Sequence, residues 1–146
     1  MLIVLVSASS LLSGCELFSS DPDEIKTLQI NRITWNQVRT PDYSYTHTRS
    51  CFCAFAGTYR VTVRDDQVAG ATDVVDLEPV PLDYLIQIPT LDGVFDLLEA
   101  AYNNEADEIH VEYGRYGIPE IIDIDFIEGA IDDELSLRST DVTLGG

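Results

Sequence analysis

Alternation is the strongest regularity along the chain. Over residues 43–53 the odd positions are Tyr43, Tyr45, His47, Arg49, Cys51 and Cys53; the even ones are Ser44, Thr46, Thr48, Ser50 and Phe52. Successive strand side chains point to opposite faces, so these sets predict the two surfaces of one strand. The Tyr, Thr and Phe content also favours a strand over a helix. Beyond a turn at Ala56-Gly57, residues 58–64 alternate again, with Tyr59, Val61 and Val63 opposed to Arg60, Thr62 and Arg64. Two such runs around a glycine turn predict a β-hairpin. Asp65-Asp66-Gln67 reads as the next turn and residues 68–75 as a short third strand.

Two later runs alternate in the same way. Ile109, Val111 and Tyr113 oppose His110 and Glu112; Ile122, Ile124 and Phe126 oppose Ile121, Asp123 and Asp125. Residues 114–119 turn the chain between them. A last strand is expected over residues 135–142 with Leu135 and Leu137 inward, followed by a free end at Gly145-Gly146. One apolar and one polar face per strand is the pattern of an antiparallel sheet covered on one side.

Helical spacing governs two other stretches. Asp21-Pro22-Asp23-Glu24 combines an N-cap, a first-position proline and acids in the first turn. The helix it opens is expected to reach about Val38, with Ile25, Leu28, Ile33, Trp35 and Val38 as its apolar contacts and Ile30 off the stripe. Residues 39–42, Arg-Thr-Pro-Asp, break it. Thr90 caps a second helix whose Leu91, Val94, Phe95, Leu98 and Tyr102 share one side, ending at Asn103-Asn104. Pro79, Pro81 and Pro89 predict an extended connection over residues 78–89 instead of a helix. The sum is an α+β fold: a twisted antiparallel sheet of about four to six strands with two helices packed on one face.

The N-terminus stands apart from this domain. Residues 1–12 are an apolar run, and Leu12-Ser13-Gly14-Cys15 follows. Small residues before a cysteine at the end of such a run resemble the lipobox of bacterial lipoproteins. The resemblance implies a signal peptide over residues 1–14, a lipidated Cys15 with its tether over 15–20, and a single domain over 21–146. The run lacks the Lys or Arg that ordinarily precedes it, which points to a start a few residues upstream. It is also short for a spanning helix. Glu16 after the cysteine favours the periplasmic side of the outer membrane over inner-membrane retention.

Charge narrows the partners. The chain carries 26 acidic and 8 basic residues, a formal net charge of −18, and Lys26 is its only lysine. Nucleic acid, whose phosphates would be repelled, is excluded as a partner, and so is docking on anionic lipid through a basic patch. The membrane would be reached through the lipid on Cys15. No D-x-D-x-D-G loop supports calcium binding.

Trp35, Tyr43-x-Tyr45, Cys51-Phe52-Cys53, the helix with Phe95, and Gly117-Ile118-Pro119 ahead of Asp123-x-Asp125, with the lipobox, resemble the bacterial lipoproteins grouped as domain-of-unknown-function family 6174. The resemblance spans residues 30–137. It implies the fold and the envelope address and carries no activity with it.

With Cys15 lipidated, Cys51 and Cys53 are the remaining thiols. In an oxidising compartment they suggest a bond, though residues two apart on a regular strand sit near the upper Cα separation for a disulfide, so a bend is needed. A structural clip, a pair of buried thiols, an easily reduced redox pair and a soft-metal site with His47 or His110 all remain open. Arg49, Arg60 and Arg64 gather on the hairpin of an otherwise acidic chain. They read either as partners of Asp123, Asp125 and Glu112 across strands or, with Tyr43 and Tyr45, as a binding face for anions or carboxylates. No G-x-S-x-G, phosphate-cradling glycine loop or H-E-x-x-H occurs, and no cofactor is expected. The expectation is a lipid-anchored, non-catalytic cell-envelope domain that binds a protein or ligand partner through its sheet. The alternative is a thiol redox or copper-handling protein using Cys51 and Cys53.

Overall fold

The computed structural model describes residues 22–130 and 133–145. The lipobox, Cys15, the tether, the Asp21 cap and Gly146 lie outside them. The elements in chain order are helix α1 (Pro22–Val38), strands β1 (Tyr43–Ser50), β2 (Gly57–Arg64) and β3 (Gln67–Asp73), helices α2 (Leu82–Leu85) and α3 (Leu91–Asn103), and strands β4 (Glu108–Tyr113), β5 (Pro119–Asp125) and β6 (Leu135–Leu144). All six strands form one sheet in the order β3-β2-β1-β6-β5-β4, with every pairing antiparallel. The C-terminal strand therefore lies in the middle, between the hairpin and the β4–β5 pair.

The hairpin has the expected faces, but its strands are shorter than the alternation suggested. Pairing stops at Arg49 opposite Gly57, and residues 51–56 form the loop that carries both cysteines. Asp65 and Asp66, both at positive φ (49° and 62°), make a two-residue turn between paired Arg64 and Gln67. This handedness suits the twist of a hairpin, and Asp tolerates it better than most residues.

One face of the sheet forms the core. Tyr43, Tyr45, Tyr59, Val61, Val63, Ile122, Ile124, Leu135 and Leu137 point inward and meet Leu91, Val94, Phe95 and Leu98 of α3 and Leu28 and Trp35 of α1. Thr90 caps α3 by accepting the Gly93 N–H at 3.1 Å. Burying such a helical stripe is worth roughly 1.5–3 kcal/mol per large side chain.

Helix α1 departs from its expected stripe. Leu28 and Trp35 are buried, Ile25 is half-buried, and Ile33 (56% exposed) joins Ile30 (54%) and Val38 in solvent. Ile33 falls two residues before Trp35, a spacing that turns side chains away from each other on a helix. The expected seam was too wide.

Three smaller differences follow from local physics. The proline-rich connection holds one helical turn, α2, because Pro81 leads into it at a position where a missing N–H costs nothing. Phe126 lies beyond the end of β5 and is exposed. Gly145 is tied back by its N–H to the Asp42 carbonyl at 2.8 Å, so the chain end is not free there.

Gly117 sits at φ 74° in the short 3-10 turn at Arg115–Gly117, where a Cβ would come within 2.5 Å of the Asn31 carbonyl oxygen. Only glycine permits that approach of the turn to α1. No helix among the described residues is long and apolar enough to cross a membrane.

Candidate functional site

The inward side of β1 is a ladder of four side chains, Tyr43, Tyr45, His47 and Arg49. Tyr43 packs edge-to-face on Trp35 with ring centroids 5.5 Å apart, and its hydroxyl accepts the Leu91 N–H at 3.0 Å. Tyr45 donates its hydroxyl to the Pro89 carbonyl. Burial pushes the Tyr43 phenol up to about 12 and raises that of Tyr45 further. Both rings are buried, so neither offers the exposed binding surface expected of it. The Tyr-x-Tyr pair instead bolts the sheet to the start of α3.

His47 and Ser139 continue the inward face as direct neighbours on β1 and β6. Each is only 1% exposed, and neither imidazole nitrogen nor the serine Oγ has a hydrogen-bond partner. Burial, with a smaller push from the Arg49 charge, lowers the imidazole to about 4, so His47 is neutral at physiological pH. Arg49 above it also has a buried Nε without a partner.

The cysteines are joined. Cys51 and Cys53 form a disulfide with Cα atoms 5.2 Å apart. The loop supplies the bend that a regular strand lacks, and its Phe55 ring packs at a 47° tilt against Tyr84 of α2, centroids 4.6 Å apart. Cys51 is half-buried and Cys53 exposed. The suggested metal set is not assembled. His47 points into the core, the two sulfurs are bonded to each other, and His110 lies on β4, three strands away from β1. Among the described residues no three His, Cys, Asp or Glu side chains are grouped to hold a metal.

The three hairpin arginines separate. Arg49 belongs to the inward ladder, while Arg60 and Arg64 face outward. Arg60 donates to Ser44 Oγ at 3.0 Å, Thr46 Oγ1 at 3.2 Å and the Asp141 carbonyl at 3.1 Å; Arg64 pairs with Asp42 at 3.1 Å. None of them reaches Asp123, Asp125 or Glu112 as the cross-strand reading supposed. Strands β1 and β6 stand between the hairpin's outer strand and those acids.

Arg138, overlooked in the sequence, holds the main outward network. Its guanidinium forks onto both Asp123 oxygens at 3.0 and 3.2 Å and donates to the Ile122 carbonyl at 3.1 Å; Ser136 donates to the same carboxylate at 2.6 Å. Burial opposes ionisation of Asp123, but these hydrogen bonds outweigh it and hold its carboxyl below the ordinary value. Alternation along residues 135–139 put Arg138 and Ser136 on one face. Only strand order brings Asp123 beside them. Next to this network lies an open depression of about 310 Å³ lined by Glu108, His110, Asp123, Asp125, Glu134 and Ser136 together with the apolar Ile124 and Leu135.

The outward face is therefore polar, open and internally paired, with no arrangement of nucleophile, base and orienting group among the residues described. A model for a family described as being of unknown function, DUF6174, matches residues 27–144. No curated protein and no solved structure matches the chain.

Proposed function

The chain belongs to this family of unknown function, DUF6174, and from that premise we propose a lipid-anchored, non-catalytic cell-envelope domain that binds a protein partner through its sheet. One observation carries the reading: both long helices cover the same side of a six-stranded sheet, leaving the other side as a broad, largely polar surface. The residues before Pro22 add the address, since Leu12-Ser13-Gly14-Cys15 has the lipobox pattern. With Glu16 following, the periplasmic side of the outer membrane is the preferred location.

Fractionation of cells expressing wild type and Cys15→Ala tests the anchor. Release of the variant into the soluble fraction is expected, and unchanged membrane association would overturn it. In-cell cross-linking of the anchored protein tests the partner. A Cys51→Ser/Cys53→Ser variant should retain every cross-linked species if the disulfide only shapes the hairpin.

A second reading, thiol redox, is favoured by the accessibility of Cys53 in its loop. Alkylation with and without glutathione, followed by intact mass, separates the two. A pair that glutathione cannot open belongs to the first reading, and a pair that opens readily belongs to the second.

A further inference from the structure

The two edges of the sheet are treated differently. Along β3 the chain itself closes the edge: Val80 donates to the Ala71 carbonyl at 2.9 Å, Asp73 donates to the Glu78 carbonyl at 3.0 Å, and Thr72 bridges Pro79. Among the described residues β4 has β5 as its only neighbour. Its outward side chains Glu108, His110 and Glu112 are exposed, and its inward ones, Ile109, Val111 and Tyr113, are half-buried. Those inward residues form one wall of a depression of about 260 Å³ whose other wall includes Asp23, Glu24 and Thr27 of α1. The Tyr113 hydroxyl is buried there without a hydrogen-bond partner.

We infer that β4 takes an added strand from a partner protein, an extended segment in which apolar and basic residues alternate. This inference rests on the sheet-binding reading above and names the site and the chemistry of its partner. An incoming strand continues the ladder through main-chain hydrogen bonds and gains specificity from its alternate side chains. Its apolar positions would lie against Ile109 and Val111 on the β4 wall of the depression, facing away from the Asp23 and Glu24 carboxylates of α1. Its basic positions would stand beside Glu108 and Glu112 on the outward side, where opposite charges across strands stabilise pairing.

Charge selects this occupant over a second copy of the chain. Antiparallel pairing of β4 with itself about His110 sets Glu108 opposite Glu112 twice, where like charges are destabilising, and in the register about Val111, which sets Glu112 opposite His110, two chains of net charge −18 still repel. Exposed charges commonly guard an edge against self-association. Here they also favour a partner of the other sign, in a chain whose net charge is −18.

The test uses the full chain in a zwitterionic detergent and fluorescence anisotropy of three labelled twelve-residue peptides: Lys and Val alternating, the same residues in two blocks, and Glu and Val alternating. The alternating Lys/Val peptide should bind about tenfold more tightly than the block peptide, and the Glu/Val peptide should not bind. Glu108→Lys/Glu112→Lys should reverse that preference. Asp76→Lys/Glu78→Lys, an equal charge change away from β4, should alter affinity less than about twofold.

Equal binding of the block peptide, or equal losses in the two charge variants, would reduce the effect to general attraction and overturn the inference. So would a chain that self-associates through β4 in ultracentrifugation, or one that binds the peptide only after residues 16–20 are deleted. Because anchoring and cross-linking are read separately, failure here would leave the sheet-binding reading standing.

Discussion

The two faces of the sheet satisfy their polar groups in opposite ways. On the outward face, open to water, Arg138, Asp123, Ser136, Arg60, Ser44 and Thr46 are joined by direct hydrogen bonds. On the inward face, where burial makes an unpaired group costly, His47 and Ser139 sit side by side with none. The difference shows that polarity and pairing are separate properties. Strand alternation decides which side a residue occupies, whereas a partner requires a neighbouring strand with the right atom at the right height. Tyr43 and Tyr45 found theirs at the start of α3. His47 and Ser139, further along the same face, did not.

The comparison can be broken most forcefully from the inside. Phe95→Ala removes a fully buried ring from beneath the sheet; it should cost about 3–5 kcal/mol in urea unfolding, against little for the exposed Phe52→Ala. The next largest effect concerns pH. Between the ordinary histidine value of 6.5 and about 4, the unfolded chain takes up a proton at residue 47 that the folded chain refuses. This contribution is full above 6.5 and is lost as pH falls, reaching about 3 kcal/mol below pH 4. The difference in stability between wild type and His47→Leu, followed from pH 7 to 4, isolates it from the titrating carboxylates. A difference that does not change with pH would mean that His47 charges freely in the fold.

Smaller effects belong to the outward network. Arg138→Ala removes the fork onto Asp123, but the pair is more than a third exposed, so about 1 kcal/mol or less is expected, shrinking with added salt. Ser139→Ala should be the mildest. Removing a buried hydroxyl that has no partner should leave stability unchanged or raise it by less than about 1 kcal/mol. If Ser139→Ala instead costs more than Arg138→Ala, the contrast between the two faces is wrong. Calorimetry of the two variants side by side decides it.

Much of the fold was legible. The hairpin, its Asp65-Asp66 turn, the capped helix α3 and the final strands all announce themselves through local spacing. The exceptions are instructive. Ile33 resembles a core residue in composition but stands on the wrong side of α1 relative to Trp35. Phe126 continues the alternation of β5 past the point where pairing ends. Arg49, Arg60 and Arg64 look like a cluster in one dimension, yet parity sends Arg49 inward and the others outward. Tyr43 and Tyr45 read as a surface pair, although their hydroxyls are committed to backbone groups near residue 90.

By itself the sequence determined the α+β class, the antiparallel alternation, the capped helix and the acidic character, because each follows from interactions between residues near in the chain or from composition alone. It also determined family membership, since the DUF6174 family model matches residues 27–144. Tertiary structure alone decided that β6 lies between β1 and β5. From that order follow the neighbours of Asp123, the isolation of His47 beside Ser139, the distance of His110 from the cysteines and the position of β4 at an edge. Strand pairing joins residues up to about a hundred positions apart, as Thr46 and Thr140 are. No local preference encodes such a choice; it is settled by which arrangement buries the inward faces of all six strands at once.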